Sequence, residues 1–226
     1  MRLLLVRHGQ TSSNVAHLLD TAVPGPSLTD LGREQALALV EPLSGEGPGC
    51  VVASSQRRAQ ETASPLASAL GLPVHVRDGL REVAAGDLEM RGDEASVRTY
   101  LEAVGAWAGG DLDQRVPGGE DGHEFTARYD AAVGEAVALA REAGAEALVV
   151  VSHGAAVRAW SGLRAANLTA EFVVETGLLN TGVVVLEGDP AAGWVALSWE
   201  GAALDVRSAA AAGAGPAGEP APGSVF

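Results

Sequence analysis

Residues 1–14, MRLLLVRHGQTSSN, decide how this chain is read. Residues 2–6 (RLLLV) form a short, nearly continuous apolar run, the pattern of a strand buried on both faces of a parallel sheet. A core strand has no use for a guanidinium and an imidazole at its tip. Arg7-His8-Gly9 therefore points to a binding site at a strand's carboxyl end, where open α/β sheets hold their ligands. The event recurs far downstream in ALVVVSHGAAVRAW, where the apolar run 147–151 ends in Ser152-His153-Gly154.

Working outward, the chain alternates short apolar runs with amphipathic stretches. Strands are expected at 50–54 (CVVAS), at 73–76 (PVHV, an edge strand opened by Pro73), and as a final pair in TGVVVLE and GWVALSWEG around the turn Gly188-Asp189-Pro190. Helices are expected over 28–43, with Ala36, Leu39, Val40 and Leu43 on one face, over 58–70 with Pro65 kinking or restarting it, over 94–108, over 120–143 and after Gly154. Residues 83–119 read as an insertion over the sheet and the active site. The stretch after residue 206, SAAAAGAGPAGEPAPGSVF, reads as a disordered Ala/Gly/Pro tail. Alternation of strand and helix argues for one α/β domain over 1–206, a three-layer α/β/α sandwich around a mostly parallel sheet.

Composition narrows the function. Of 226 residues 47% are hydrophobic, which excludes general disorder. The formal charge of −14 repels nucleic acid and anionic lipid, so neither is expected as a partner. There is no Lys, so any anion site must be built from Arg, His and backbone N–H groups. The single Cys, Cys50, lies in a strand-like run and reads as a small buried hydrophobe. No apolar run is long enough to span a bilayer and no leader pattern opens the chain, so a cytoplasmic location is expected.

If the sheet is parallel, three polar strand ends converge: Arg7-His8-Gly9, Ser54-Ser55-Gln56-Arg57-Arg58 and Ser152-His153-Gly154. GLREV adds Glu82 just after the edge strand. Two His, two or three Arg and one carboxylate suit a phosphoryl group, because Arg holds its oxygens through a bidentate fork. Gly after each His lets backbone approach a ligand closely. At this point the sequence resembles the histidine phosphatase superfamily, which includes the cofactor-dependent phosphoglycerate mutases. The matching segments are LLLVRHGQTSSN, SLTDLGREQA, SSQRRAQETA, LREVAAGDLE, PGGED and VVVSHGAAVRA, in the family's order and spanning roughly residues 1–187.

The resemblance implies a phosphoglycerate mutase-like fold and gives the residues roles. His8 is the nucleophile; Arg7, Arg58 and His153 hold the phosphoryl oxygens; Glu82 is the proton donor, preferred by register over Glu89. Asn14, with Gln10, Thr11 and Gly154, falls among the substrate-binding positions. Such a mechanism needs no metal and no cofactor. Arg57, His17, His75 and His123 read as structural or exposed, although His123 could reach substrate from the insertion.

The loop VAHLLDTAVPGPSL lacks the usual Gly-plus-Asp pattern, and the insertion is short and without Lys. A substrate carboxylate would then need Arg91, Arg98 or Arg115. These departures favour a phosphatase of small phosphorylated metabolites over a mutase, with a catalytically inactive phosphate-binding module as the rival from another class. The oligomeric state is not legible.

Overall fold

The computed structural model describes residues 1–206; the stretch 207–226, expected to be a disordered tail, lies outside the described residues. In chain order the elements are β1 (Arg2–Arg7), α1 (Ser12–Val15), α2 (Asp30–Ala38), α3 (Val40–Gly45), β2 (Cys50–Ser54), α4 (Arg57–Leu70) and β3 (Val74–Arg77). There follow α5 (Glu94–Ala108), α6 (Gly122–Glu142), β4 (Ala147–Ser152), α7 (Gly154–Arg164), α8 (Ala170–Glu175), β5 (Val183–Asp189), β6 (Gly193–Trp199) and β7 (Ala202–Ala203).

The strands form one sheet in the order β3-β2-β4-β1-β5-β6-β7. The four strands on the β3 side pair parallel, and β5, β6 and β7 extend the sheet antiparallel. The expected strands are present, β3 lies at the edge, and β7, α1 and α8 are additions too short to leave a periodic signal.

The period-2 rule divides the core. Leu4 and Val6 of β1, with Val149 and Val151 of β4, pack with Leu43 of α3 and Ala59, Ala63 and Leu66 of α4. Leu3, Leu5, Leu148 and Val150 face the other way, onto Tyr100 and Trp107 of α5, Phe125 and Tyr129 of α6 and Trp160 of α7. Helices thus cover both faces, giving an α/β sandwich. The aromatic rings run in a chain, Trp107–Phe125–Tyr129–Trp160–Trp194, with centroids 5.4 to 6.0 Å apart, and tie α5, α6, α7 and β6 together.

The helices differ from expectation at two prolines. The helix expected over 28–43 breaks at Leu39, because the Pro42 ring would clash with the carbonyl four residues back, at Ala38, where α2 ends. Pro65, expected to kink or restart its helix, does not restart it: it lies within one continuous α4, whose buried face of Ala59, Ala63, Leu66 and Ala67 outweighs the lost hydrogen bond. Among the described residues no helix is long and apolar enough to cross a membrane.

Candidate active site

From β1 the chain crosses beyond β4 to reach β2, whereas from β4 it crosses beyond β1 to reach β5. The strand order therefore reverses between β1 and β4, which opens a crevice at their carboxyl ends. Arg7 and Ser152 are register partners there, and His8 N donates to Ser152 O at 3.0 Å. The two polar strand tips thus lie side by side, and the His8 and His153 rings stand 5.1 Å apart, centroid to centroid. A cavity of about 400 Å³ opens here, lined by Arg7, His8, Thr11, Asn14, Arg58, Glu82 and Gly154 among others.

His8 is buried, and its tautomer follows from its partners. Nδ1 lies 2.7 Å from Gly9 O, which can only accept, so Nδ1 carries the proton and Nε2 carries the lone pair. Arg58 Nε donates to that lone pair at 3.0 Å. Burial first, then the Arg58 and Arg7 guanidiniums, hold His8 well below the ordinary imidazole range, so the ring is neutral. His153 is lowered in the same direction, again chiefly by burial, then by Arg58 and by His8. Its Nε2 meets Ser54 Oγ at 2.8 Å.

The cations are held by backbone carbonyls. Arg7 Nη1 donates to Leu178 O and Arg58 Nη2 to Asp20 O. Arg7 Nε, Arg58 Nη1 and His153 Nδ1 are buried without a protein partner, which is costly unless another group completes them. Gly154 makes room for this arrangement, since a Cβ there would meet Arg7 Nε at 3.1 Å. Gly9 likewise lets the chain just after β1 pass against α2, where a Cβ would meet Gly32 O at 2.6 Å.

Glu82 arrives from the loop after β3. Its carboxylate accepts from Val83 N at 3.0 Å, Ala155 N at 3.2 Å and Ala156 N at 2.8 Å, so it closes the first turn of α7 from inside the cavity. Glu89 stands outside the cavity, taking Thr21 N at 2.7 Å and Ala22 N at 3.0 Å, and so holds the loop at 15–27 in place.

The remaining expected residues divide. Asn14 lines the cavity; its Oδ1 accepts from Thr11 N at 3.0 Å and Asn180 Nδ2 at 3.2 Å. Thr11 lines the cavity too, with its hydroxyl capping α1. Gln10 stands apart from the cavity lining, and its Oε1 accepts from Thr29 Oγ1 at 2.9 Å, tying β1 to the start of α2. His123 is exposed beside Asp113 and Arg57 is exposed, and neither lines the cavity.

Arg91, Arg98 and Arg115, the expected carboxylate holders, also stand outside the lining. They are spent on exposed ion pairs with Asp93, with Glu94, and with Asp121 and Glu124. The third cation of the cavity is Arg158, one turn into α7, which lies within VVVSHGAAVRA but is given no role there.

Sequence reading also passed over Asn180, whose Nδ2 donates to His8 O at 3.0 Å. It passed over the bridging role of Gln56. That side chain accepts from Glu82 N at 2.8 Å and donates to Thr21 O at 2.8 Å. Among the described residues no group of three or more His, Cys, Asp or Glu side chains is placed to hold a metal ion.

Known proteins resemble this chain in sequence and in fold. The chain is 36% identical over 211 residues to the PE-PGRS family protein PE_PGRS11 of Mycobacterium tuberculosis; the match takes in 87% of this chain and 36% of that longer protein. It is 31% identical over 223 residues to glucosyl-3-phosphoglycerate phosphatase of the same organism, covering 93% of this chain and 95% of that one. A solved mycobacterial glucosyl-3-phosphoglycerate phosphatase in complex with VO3 superposes with a TM-score of 0.73 at 32% identity, over 88% of this chain and 98% of its own. Residues 3–200 match the model of the histidine phosphatase superfamily, branch 1, and the chain belongs to that family.

Proposed function

We propose that this chain hydrolyses small phosphomonoesters through a phosphohistidine at His8, in a single catalytic domain. The observation that carries the reading is the state of His8. It is a buried, neutral imidazole whose lone pair is fixed on Nε2 by the Gly9 carbonyl, with Arg7, Arg58 and His153 around it and partnerless nitrogens on all three. An incoming phosphoryl group takes the Arg58 Nε hydrogen bond that His8 Nε2 now receives, and the unpaired donors gain oxygens.

Nε2 then attacks phosphorus, the bond from phosphorus to the ester oxygen breaks, and Glu82 gives that oxygen its proton. The positive charge formed on the ring is steadied by the Nδ1–H held at Gly9 O. In the second half, water loses its proton to Glu82 and attacks the phosphohistidine. Phosphate and neutral His8 are regenerated.

The charge needed to steady the phosphoryl oxygens is supplied by Arg, so the enzyme we propose is metal-independent. A cytoplasmic setting is part of the same proposal, since the chain carries one Cys and relies on no disulfide.

Rapid quench with ³²P-labelled substrate tests the reading. Label should be lost in acid, retained in base, and absent from His8→Ala. Label retained by His8→Ala would overturn it. Phosphate release measured beside interconversion of phosphoglycerates separates hydrolysis from mutase chemistry.

A further inference from the structure

The cavity's charged lining is three Arg (Arg7, Arg58 and Arg158) against Asp20, with Glu82 carrying the proton it gives to the leaving oxygen, a surplus of two positive charges before a phosphomonoester dianion enters. Arg7 and Arg58 flank His8. Arg158 lies within electrostatic reach of Arg7 and Glu82, and its Nε and Nη2 are committed to Val173 O and Val174 O.

Five leucines also line the cavity, Leu18, Leu19, Leu101, Leu178 and Leu179, beside a Tyr100 ring whose hydroxyl is spent on Val83 O. Leu101 and Leu179 are 45% and 71% exposed, so they form the rim rather than the core. Asp20, whose side chain Ser13 Oγ holds, adds an anion to the lining.

We infer that the leaving group taken by this cavity is uncharged and presents an apolar or ring face, and that a carboxylate on the leaving group is selected against. The inference rests on the phosphatase reading and narrows it. A second anion seated against the leucines would give up hydration with Arg7 and Arg58 taken by the phosphoryl group and Arg158 held at Val173 O and Val174 O, in a site whose positive surplus the phosphoryl dianion has already matched. An apolar face there covers leucine surface instead. This separates the chain's substrate from the carboxylate-bearing phosphoglycerate ester named for the relatives above.

The test compares kcat/KM for phenyl phosphate and 4-carboxyphenyl phosphate, a pair that differs by one remote charge and in which the carboxylated phenolate leaves no less readily. Phenyl phosphate should be preferred about tenfold. Leu179→Arg, which puts a cation on the exposed rim, should bring the ratio near unity by raising the carboxylated substrate.

Equal use of the two esters, a preference for the carboxylated one, or a ratio that Leu179→Arg does not move would overturn the inference while leaving the phosphatase intact. A carboxylate preference lost in Arg158→Gln would overturn it by giving the second anion to that side chain. Hydrolysis of neither ester, nor of any phosphomonoester, would remove the phosphatase reading and this inference with it.

Discussion

Arg58 Nε donates to His8 Nε2 at 3.0 Å, so the atom that must attack phosphorus is covered by the side chain expected to bind phosphate. The guanidinium also makes the imidazole harder to protonate, second only to burial. Arg58→Gln should therefore move the His8 pKa upward, toward the ordinary imidazole range, and lower kcat/KM by about 10²- to 10³-fold. NMR titration of the His8 ring reads the first effect separately from the second. An unmoved titration would mean that burial alone keeps His8 neutral.

Acidity acts on activity and on stability through the same rings. Neutral His8 is the nucleophile and its pKa is lowered, so the acid limb of kcat/KM, which reports the free enzyme, should lie below about pH 6.5. For stability the sign is adverse. The unfolded chain takes up protons near pH 6.5 that folded His8 and His153 refuse. Folding free energy should thus fall as pH drops below about 6.5, toward their lowered folded values. Denaturant melts between about pH 7.5 and 5.5 should show this slope, and His153→Gln should flatten it. An equal slope in the variant would mean that His153 is not buried in its neutral form.

Glu82 has two duties that substitutions separate. Glu82→Gln keeps acceptors for Ala155 N and Ala156 N but cannot pass a proton to a leaving oxygen. Alkyl phosphates should lose about 10²- to 10⁴-fold in rate, and p-nitrophenyl phosphate far less, because nitrophenolate leaves without a proton. Glu82→Ala also uncaps α7 and should cost about 1 kcal/mol of stability on melting. Equal losses for the two ester types in Glu82→Gln would move the general acid elsewhere.

The parts of this site that were legible in the sequence share one property: each sits at the end of an apolar run, where a charged or ring side chain has no packing reason to be. His8 with Arg7, and His153 with Gly154, stand out on that ground alone, and the register of SSQRRAQETA separated buried Arg58 from exposed Arg57. What stayed hidden are contacts made across the chain. Arg158 occupies an ordinary helical position, and only the start of α7 at the cavity carries it there. Asn180 reaches His8 O from a loop 172 residues away in sequence. Arg91, Arg98 and Arg115 drew attention as the cations of the insertion, but nearby carboxylates claim them on the surface. The break at Pro42 and the passage through Pro65 differ because α4 has a buried face to hold it together.

Glu120, within the PGGED turn, supports the Glu82 segment from beneath. Its carboxylate meets Arg128 Nε at 2.7 Å and accepts from Ala84 N at 2.9 Å. Arg128 in turn donates to Gly79 O at 2.8 Å and Arg81 O at 2.9 Å, so the pair grips the chain on both sides of Glu82. The pair is nearly inaccessible, with side chains 12% and 9% exposed. Removing one partner leaves a buried charge unpaired, so Glu120→Ala should cost about 3–5 kcal/mol. For a chain of this length that lowers Tm by about 6–20 °C. Below the transition, the folded variant should lose more activity on alkyl phosphates than on p-nitrophenyl phosphate, because the displaced group is the proton donor. A large fall in Tm with equal losses on both substrates would make Glu120 a support of the fold alone. An unchanged Tm would mean that the ion pair does not hold this loop.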